Sequence, residues 1–175
     1  MSLPKYTYTY PPTTKPEGYD DLDLVGYLYN ACYGGFSFSQ EFVRRMNEKR
    51  AGATKFDGEK EFTSHSVERT DPMVIELFQE MGPGASSGPH SSIRINWIPR
   101  EFLPYVSIHE YDGTESVRVV FDEMEADLLQ KFLQEWKKDS SLTVENLNQR
   151  YMKLQEKIAR CKIYQKECWS QKLDY

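Results

Sequence analysis

The sequence predicts an α+β fold: an antiparallel sheet of three to four strands with two helices on one face, followed by a C-terminal antiparallel helical hairpin. Three observations lead there. Apolar and polar residues alternate between residues 92 and 121 around an Asp-Gly turn, two earlier segments carry helix start signals, and no strand signal remains after residue 121. At 175 residues the chain can bury roughly two-thirds of the surface its unfolded form exposes, so it needs neither disulfide nor metal to fold.

Residues 1–21 carry Pro4, Pro11, Pro12 and Pro16 with tyrosines at Tyr6, Tyr8 and Tyr10. Proline breaks both helix and central strand, so this segment reads as an extended arm. It is either a free tail or an arm whose tyrosines, on one side when extended, lie against the domain or a partner. The run LDLVGYLYNACY from Leu22 to Tyr33 is apolar, aromatic and β-favouring and stops at Gly34-Gly35, the pattern of a buried strand. Ser39 then reads as an N-cap, with Phe42, Val43 and Met46 as the apolar stripe of a helix to about Arg50. Residues 51–66 are glycine-spaced and charged, a loop. Asp71 as N-cap, Pro72 at the first helical position and Gly82 past the end frame a second helix with Val74, Ile75, Leu77 and Phe78 inside. The segment MGPGASSGPHSS that follows reads as a flexible connector.

Strands follow at 92–99, 105–111 and 115–121, the last two joined by Asp112-Gly113, a hairpin signal. They predict an antiparallel meander to which the early strand adds. These elements make an α+β domain over 22–121. Beyond it, Asp122 is expected to cap a helix whose broad apolar side holds Leu128, Leu129, Phe132, Leu133 and Trp136, and Asp139-Ser140-Ser141 breaks it. From about Thr143 a last helix repeats Val144, Leu147, Tyr151, Leu154, Ile158, Cys161, Gln165 and Cys168 at steps of three and four, a coiled-coil seam. So short a break folds two helices back as a hairpin over 122–175.

The formal net charge of −5 is unevenly spread: residues 1–121 hold 17 acidic and 12 basic side chains, residues 122–175 ten of each. An acidic balance disfavours a protein built to grip nucleic acid. No apolar run approaches the roughly 20 residues that span a bilayer, and the N-terminus resembles neither a secretory signal nor a transit peptide, so the expected compartment is intracellular. The three cysteines agree. Cys161 and Cys168, seven helical residues or about 10.5 Å apart, are too far for a disulfide.

Candidate chemistry is sparse. His65, His90 and His109 have no metal-ligand spacing, and the glycine-rich stretch after residue 81 follows a helix, the wrong order for a phosphate loop. Gly34-Gly35, between strand and helix, has the right order for an anion held on backbone amides. Glu110, Asp112 and Glu115 cluster at the hairpin and are candidates for a divalent cation or acid/base work. Arg44, Arg45, Lys49 and Arg50 make a basic edge that reads as a solvated face. No cofactor is called for.

Several pieces in order are similar to a known family: Cys32-Tyr33-Gly34-Gly35-Phe36-Ser37-Phe38-Ser39, Arg69-Thr70-Asp71-Pro72 through Glu80-Met81-Gly82, then Ile93, Ile95, Ile98-Pro99, and Glu110-Tyr111-Asp112-Gly113-Thr114-Glu115. Over residues 22–120 the chain resembles an uncharacterised family of large nucleocytoplasmic DNA viruses, the marseilleviruses among them, with relatives in phages and bacteria. The resemblance implies a viral origin, hence a place in host cytoplasm or virion, and a fold in which the Tyr-Gly-Gly-Phe turn meets the Glu-Tyr-Asp-Gly hairpin. It brings no catalytic residue, and the Tyr/Pro arm and C-terminal hairpin depart from it. The expected function is therefore a non-enzymatic structural or protein-interaction role, with a protein partner or homodimer along the seam from Val144 to Cys161. The alternative is a small ligand- or metal-binding, enzyme-like module using Glu110, Asp112 and Glu115 or Gly34 and Gly35.

Overall fold

The structure, a computed structural model, describes residues 14–17, 22–51, 67–138 and 143–169, with side chains in the last segment described to 156 and at 158, 159 and 162. Most of the Tyr/Pro arm, the loop at 52–66 with His65, the helix break at 139–142 and the side chains of Cys161 and Cys168 lie outside the described residues. The chain divides into two compact units, one of residues 10–100 and 107–118, the other of 1–9, 101–106 and 119–175.

In the first unit β1 (Leu24–Asn30) pairs antiparallel with β2 (Ile93–Pro99), Tyr27 opposite Asn96 and Asn30 opposite Ile93. The early strand adds to the 92–99 strand as expected. Side chains in β1 alternate between buried Leu24, Leu28 and Asn30 and half-buried Val25, Tyr27 and Tyr29. Two helices follow β1 in sequence, α1 (Gln40–Ala51) and α2 (Pro72–Ser86). Of these, α2 packs on β1 and β2, and α1 packs on α2. Gly26 allows the close approach: a Cβ there would lie 3.1 Å from Ile75 and 2.6 Å from Ile95. The core includes Leu24 and Leu28 of β1, Phe42 and Met46 of α1, Val74, Ile75, Leu77 and Phe78 of α2, and Ile93, Ile95 and Ile98 of β2.

Both predicted caps form. Ser39 Oγ accepts the Phe42 N–H at 3.1 Å, and Asp71 Oδ1 accepts the N–H groups of Met73 at 2.8 Å and Val74 at 3.4 Å. Gly82, at φ 76°, breaks the regular helix where the sequence placed its end, and one further turn starts at Pro83. The following segment is knitted in place, where sequence composition suggested a flexible connector. Ser86 O accepts the Ser39 N–H at 2.8 Å, Gly88 N–H donates to Ser37 O at 2.9 Å, and Ser87 Oγ accepts the Ile93 N–H at 2.8 Å. Its serines supply the hydrogen bonds that a polar segment needs to be ordered.

The later strands, β3 (Val106–Tyr111) and β4 (Thr114–Val119), form a second two-stranded sheet. This corrects the single meander of three to four strands. Between β2 and β3 stands a six-residue 3₁₀ turn, Arg100–Tyr105, containing Pro104, longer than the two to five residues that close a hairpin. The β3–β4 turn is the expected Asp-Gly one, Asp112 at φ 49° and Gly113 at φ 81°.

The second unit is built on α3 (Phe121–Lys138) and α4 (Val144–Trp169). The helix begins one residue before Asp122, and Val120 O accepts the Met124 N–H, so Asp122 sits in the first turn rather than capping it. Thr143 caps α4 through Oγ1, which accepts the Asn146 N–H at 3.2 Å. Glu135 pairs with Arg150 at 3.2 Å and Glu125 with Lys162 at 3.3 Å. Moving back along α3 thus moves forward along α4, an antiparallel pair. Phe102 of the 3₁₀ turn meets Phe121 edge-on at 6.2 Å, and the Tyr105 hydroxyl donates to Asp127. Among the described residues, no helix is long and apolar enough to cross a membrane.

Candidate functional site

Two places collect the residues singled out by sequence: the junction of the Gly34-Gly35 turn with the hairpin, and the α3–α4 pair.

At the junction, strand geometry comes first. Ala31 N–H donates to Ser92 O, so odd-numbered residues of β1 face β2 and even-numbered ones point to its other edge. An unpaired strand edge exposes donors and acceptors that must be satisfied. Here Leu28 N–H donates to Arg69 O at 2.9 Å, the Arg69 guanidinium donates back to Leu28 O at 3.3 Å, and Asn30 N–H donates to Glu115 Oε2 at 2.7 Å. Arg69 then closes on Glu115 with two bonds, Nη2 to Oε1 at 2.7 Å and Nη1 to Oε2 at 3.0 Å. The guanidinium also lies over the Phe36 ring, 3.5 Å from its centre, a cation–π contact.

Asn30, fully buried, ties three segments. Its Nδ2 donates to Cys32 O at 2.6 Å and Gly113 O at 2.7 Å, and its Oδ1 accepts the Ser92 N–H at 2.8 Å. The turn and the hairpin therefore meet, and glycine makes this possible. A Cβ on Gly113 would stand 2.6 Å from Gly35 N, and one on Gly34 would overlap the His90 carbonyl. Tyr27, half-buried nearby, has its hydroxyl pKa raised, first by burial, against the lowering pull of Arg69 and with a smaller push from Glu115.

The three hairpin carboxylates are not gathered. Glu115 is buried and engaged on both oxygens, whereas Glu110 and Asp112 are exposed. Among the described residues no group of three or more His, Cys, Asp or Glu side chains is placed to hold a metal ion. Chemically the arrangement is a clasp: two bonds from the guanidinium and one from a backbone amide take three of the roughly four acceptor sites of the carboxylate. Gly34 is exposed and Gly35 half-buried, the first set against the His90 carbonyl and the second with its N–H beside Gly113. Tyr33 and Tyr111 stand exposed beside the clasp. Sequence reasoning missed Asn30 and Arg69 as organisers. The available signal was a polar Asn closing an otherwise apolar strand, since a buried amide has to be matched by partners.

The second place behaves differently. Along the α4 seam burial is graded: Val144 is 61% exposed, Tyr151 37%, Leu147 and Leu154 are half-buried, and Ile158 is 1% exposed. The described seam is thus packed at one end and open at the other. On α3 the broad apolar side separates into two stripes. Met124, Leu128 and Phe132 turn inward, while Leu129, Leu133 and Trp136 remain 46%, 53% and 46% exposed. Spacings of four and three place these three on one line along the helix. Charges around it are paired or in water: Lys131 reaches Asp127 at 2.7 Å, raising the Lys131 pKa and lowering that of Asp127.

Comparison with protein-family models, with curated proteins and with solved structures gave no match.

Proposed function

We propose that this chain is a non-enzymatic structural or protein-interaction protein that meets its partner through the helix pair of residues 121–169. One observation carries the reading: Leu129, Leu133 and Trp136 form an apolar line in water, flanked by Asp127, Glu135 and Glu125 that are paired with Lys131, Arg150 and Lys162. Burying a leucine is worth about 1.5–3 kcal/mol, so a line of three is costly to leave uncovered and useful to a partner. The clasp supports the same reading from the other side, because the carboxylate best placed for chemistry, Glu115, is committed to Arg69 and Asn30. A viral setting, in host cytoplasm or virion, has its support in the ordered short motifs alone.

Replacing Leu129, Leu133 and Trp136 together by Gln tests it at low micromolar concentration. The expected result is an unchanged melting temperature and loss of the binding of an apolar fluorescent dye that native wild type shows. A fall of many degrees would make these side chains part of the unit's own packing and end the proposal, as would undiminished dye binding.

A further inference from the structure

We infer that the outer stripe of α3 is covered by a second copy of this chain, packed antiparallel across a two-fold axis near Leu129 and Gln130; this rests on the interaction reading above and names its partner. Extended toward the helix start, the exposed line runs Asp122, Ala126, Leu129, Leu133, Trp136, in steps of four, three, four and three. That is the seam spacing of one helix packing along another, and it is distinct from the inward stripe of Met124, Leu128 and Phe132.

Charge chooses the occupant and its direction. The first half of α3 holds Asp122, Glu123, Glu125 and Asp127 and no base, whereas the second half holds Lys131, Lys137 and Lys138 against Glu135. A parallel copy would set like ends together. An antiparallel copy sets each acidic end against a basic one, the self-complementary condition of an isologous contact. On the seam face the terminal charges are Asp122 and Lys137. With Asp122 opposite Lys137 of the second copy, Leu133 comes opposite Ala126 of the second copy, the small residue leaving room for the large one. Sixteen residues of overlap span about 22 Å, a short seam, so the expected dissociation constant is on the order of 10–100 µM.

Sedimentation velocity of the full chain from 5 to 200 µM, with melting curves on every variant, tests this. Wild type is expected to pass from monomer to dimer in that range. Asp122→Lys and Lys137→Glu each set like charges together twice per dimer and should weaken association by roughly tenfold or more, while the double variant Asp122→Lys, Lys137→Glu recovers it. Should Asp122→Lys disturb the first turn of α3, Lys137→Glu and the double variant still decide the matter. A wild type monomeric at 200 µM overturns the second copy as occupant, and leaves the interaction reading to the dye and melting measurements. A dimer indifferent to both reversals overturns the antiparallel α3 contact.

Discussion

The two units satisfy their side chains in opposite ways. In the α+β unit the most polar elements, Asn30, Arg69 and Glu115, are drawn inward and matched atom by atom, so that a turn, a strand edge and a hairpin become one clasp. In the helical unit polar groups stay in water as ion pairs, and apolar Leu129, Leu133 and Trp136 stay there with them. The first pattern closes a surface and the second leaves one open. Residue type did not separate them: carboxylates look like chemistry and leucines like core, yet the Glu115 carboxylate is buried in an ion pair and Leu129 and Leu133 stand in water.

The largest effect should come from opening the clasp. Glu115→Ala leaves the Asn30 N–H without its acceptor and the Arg69 guanidinium with Leu28 O in place of its carboxylate, and removing one member of a buried pair costs about 3–5 kcal/mol. Urea unfolding should show that loss; a change below 1 kcal/mol would reduce the clasp to an ordinary surface pair.

Next in size is a contrast inside the α4 seam. Ile158→Ala removes a buried side chain and should cost about 2–4 kcal/mol, whereas Val144→Ala, at the exposed end, should stay within about 0.5 kcal/mol. Equal effects at both positions would contradict the graded burial.

The smallest effect lies on the surface of α1. Glu41 accepts from Arg44 at 2.7 Å and Arg45 at 2.8 Å, which holds its carboxyl at about 2 against an ordinary 4.5. A depressed carboxylate contributes stability that is full above pH 4.5 and lost as the pH falls toward 2. NMR titration should find the low midpoint, and Arg44→Gln together with Arg45→Gln should return it toward 4.5.

Much of this fold was legible in the chain. Ser39, Asp71-Pro72 and Asp112-Gly113 act locally, through caps and a turn whose chemistry is complete within four residues, and each stands where local rules put it. What was not legible depends on distant partners. Whether β3 joins β2 turned on the Arg100–Tyr105 segment coiling instead of turning. Asn30 and Glu115 are 85 residues apart, and no spacing rule reaches that far. The α3 apolar side was visible as one broad band, but its division into inner and outer stripes needs the position of α4.

Two tryptophans mark the closed unit and the open helix face. Trp97 of β2 is 7% exposed and Trp136 of α3 is 46% exposed. Fluorine NMR of 5-fluorotryptophan-labelled chain, assigned with single Trp→Phe variants, reads the solvent exposure of each ring as concentration rises. The Trp97 signal should stay shielded and constant throughout, and the Trp136 signal should be solvent-exposed at low micromolar concentration and become shielded as the second copy covers it. A Trp136 ring shielded from the start, or one that stays exposed to 200 µM, would contradict an open face covered by a second copy.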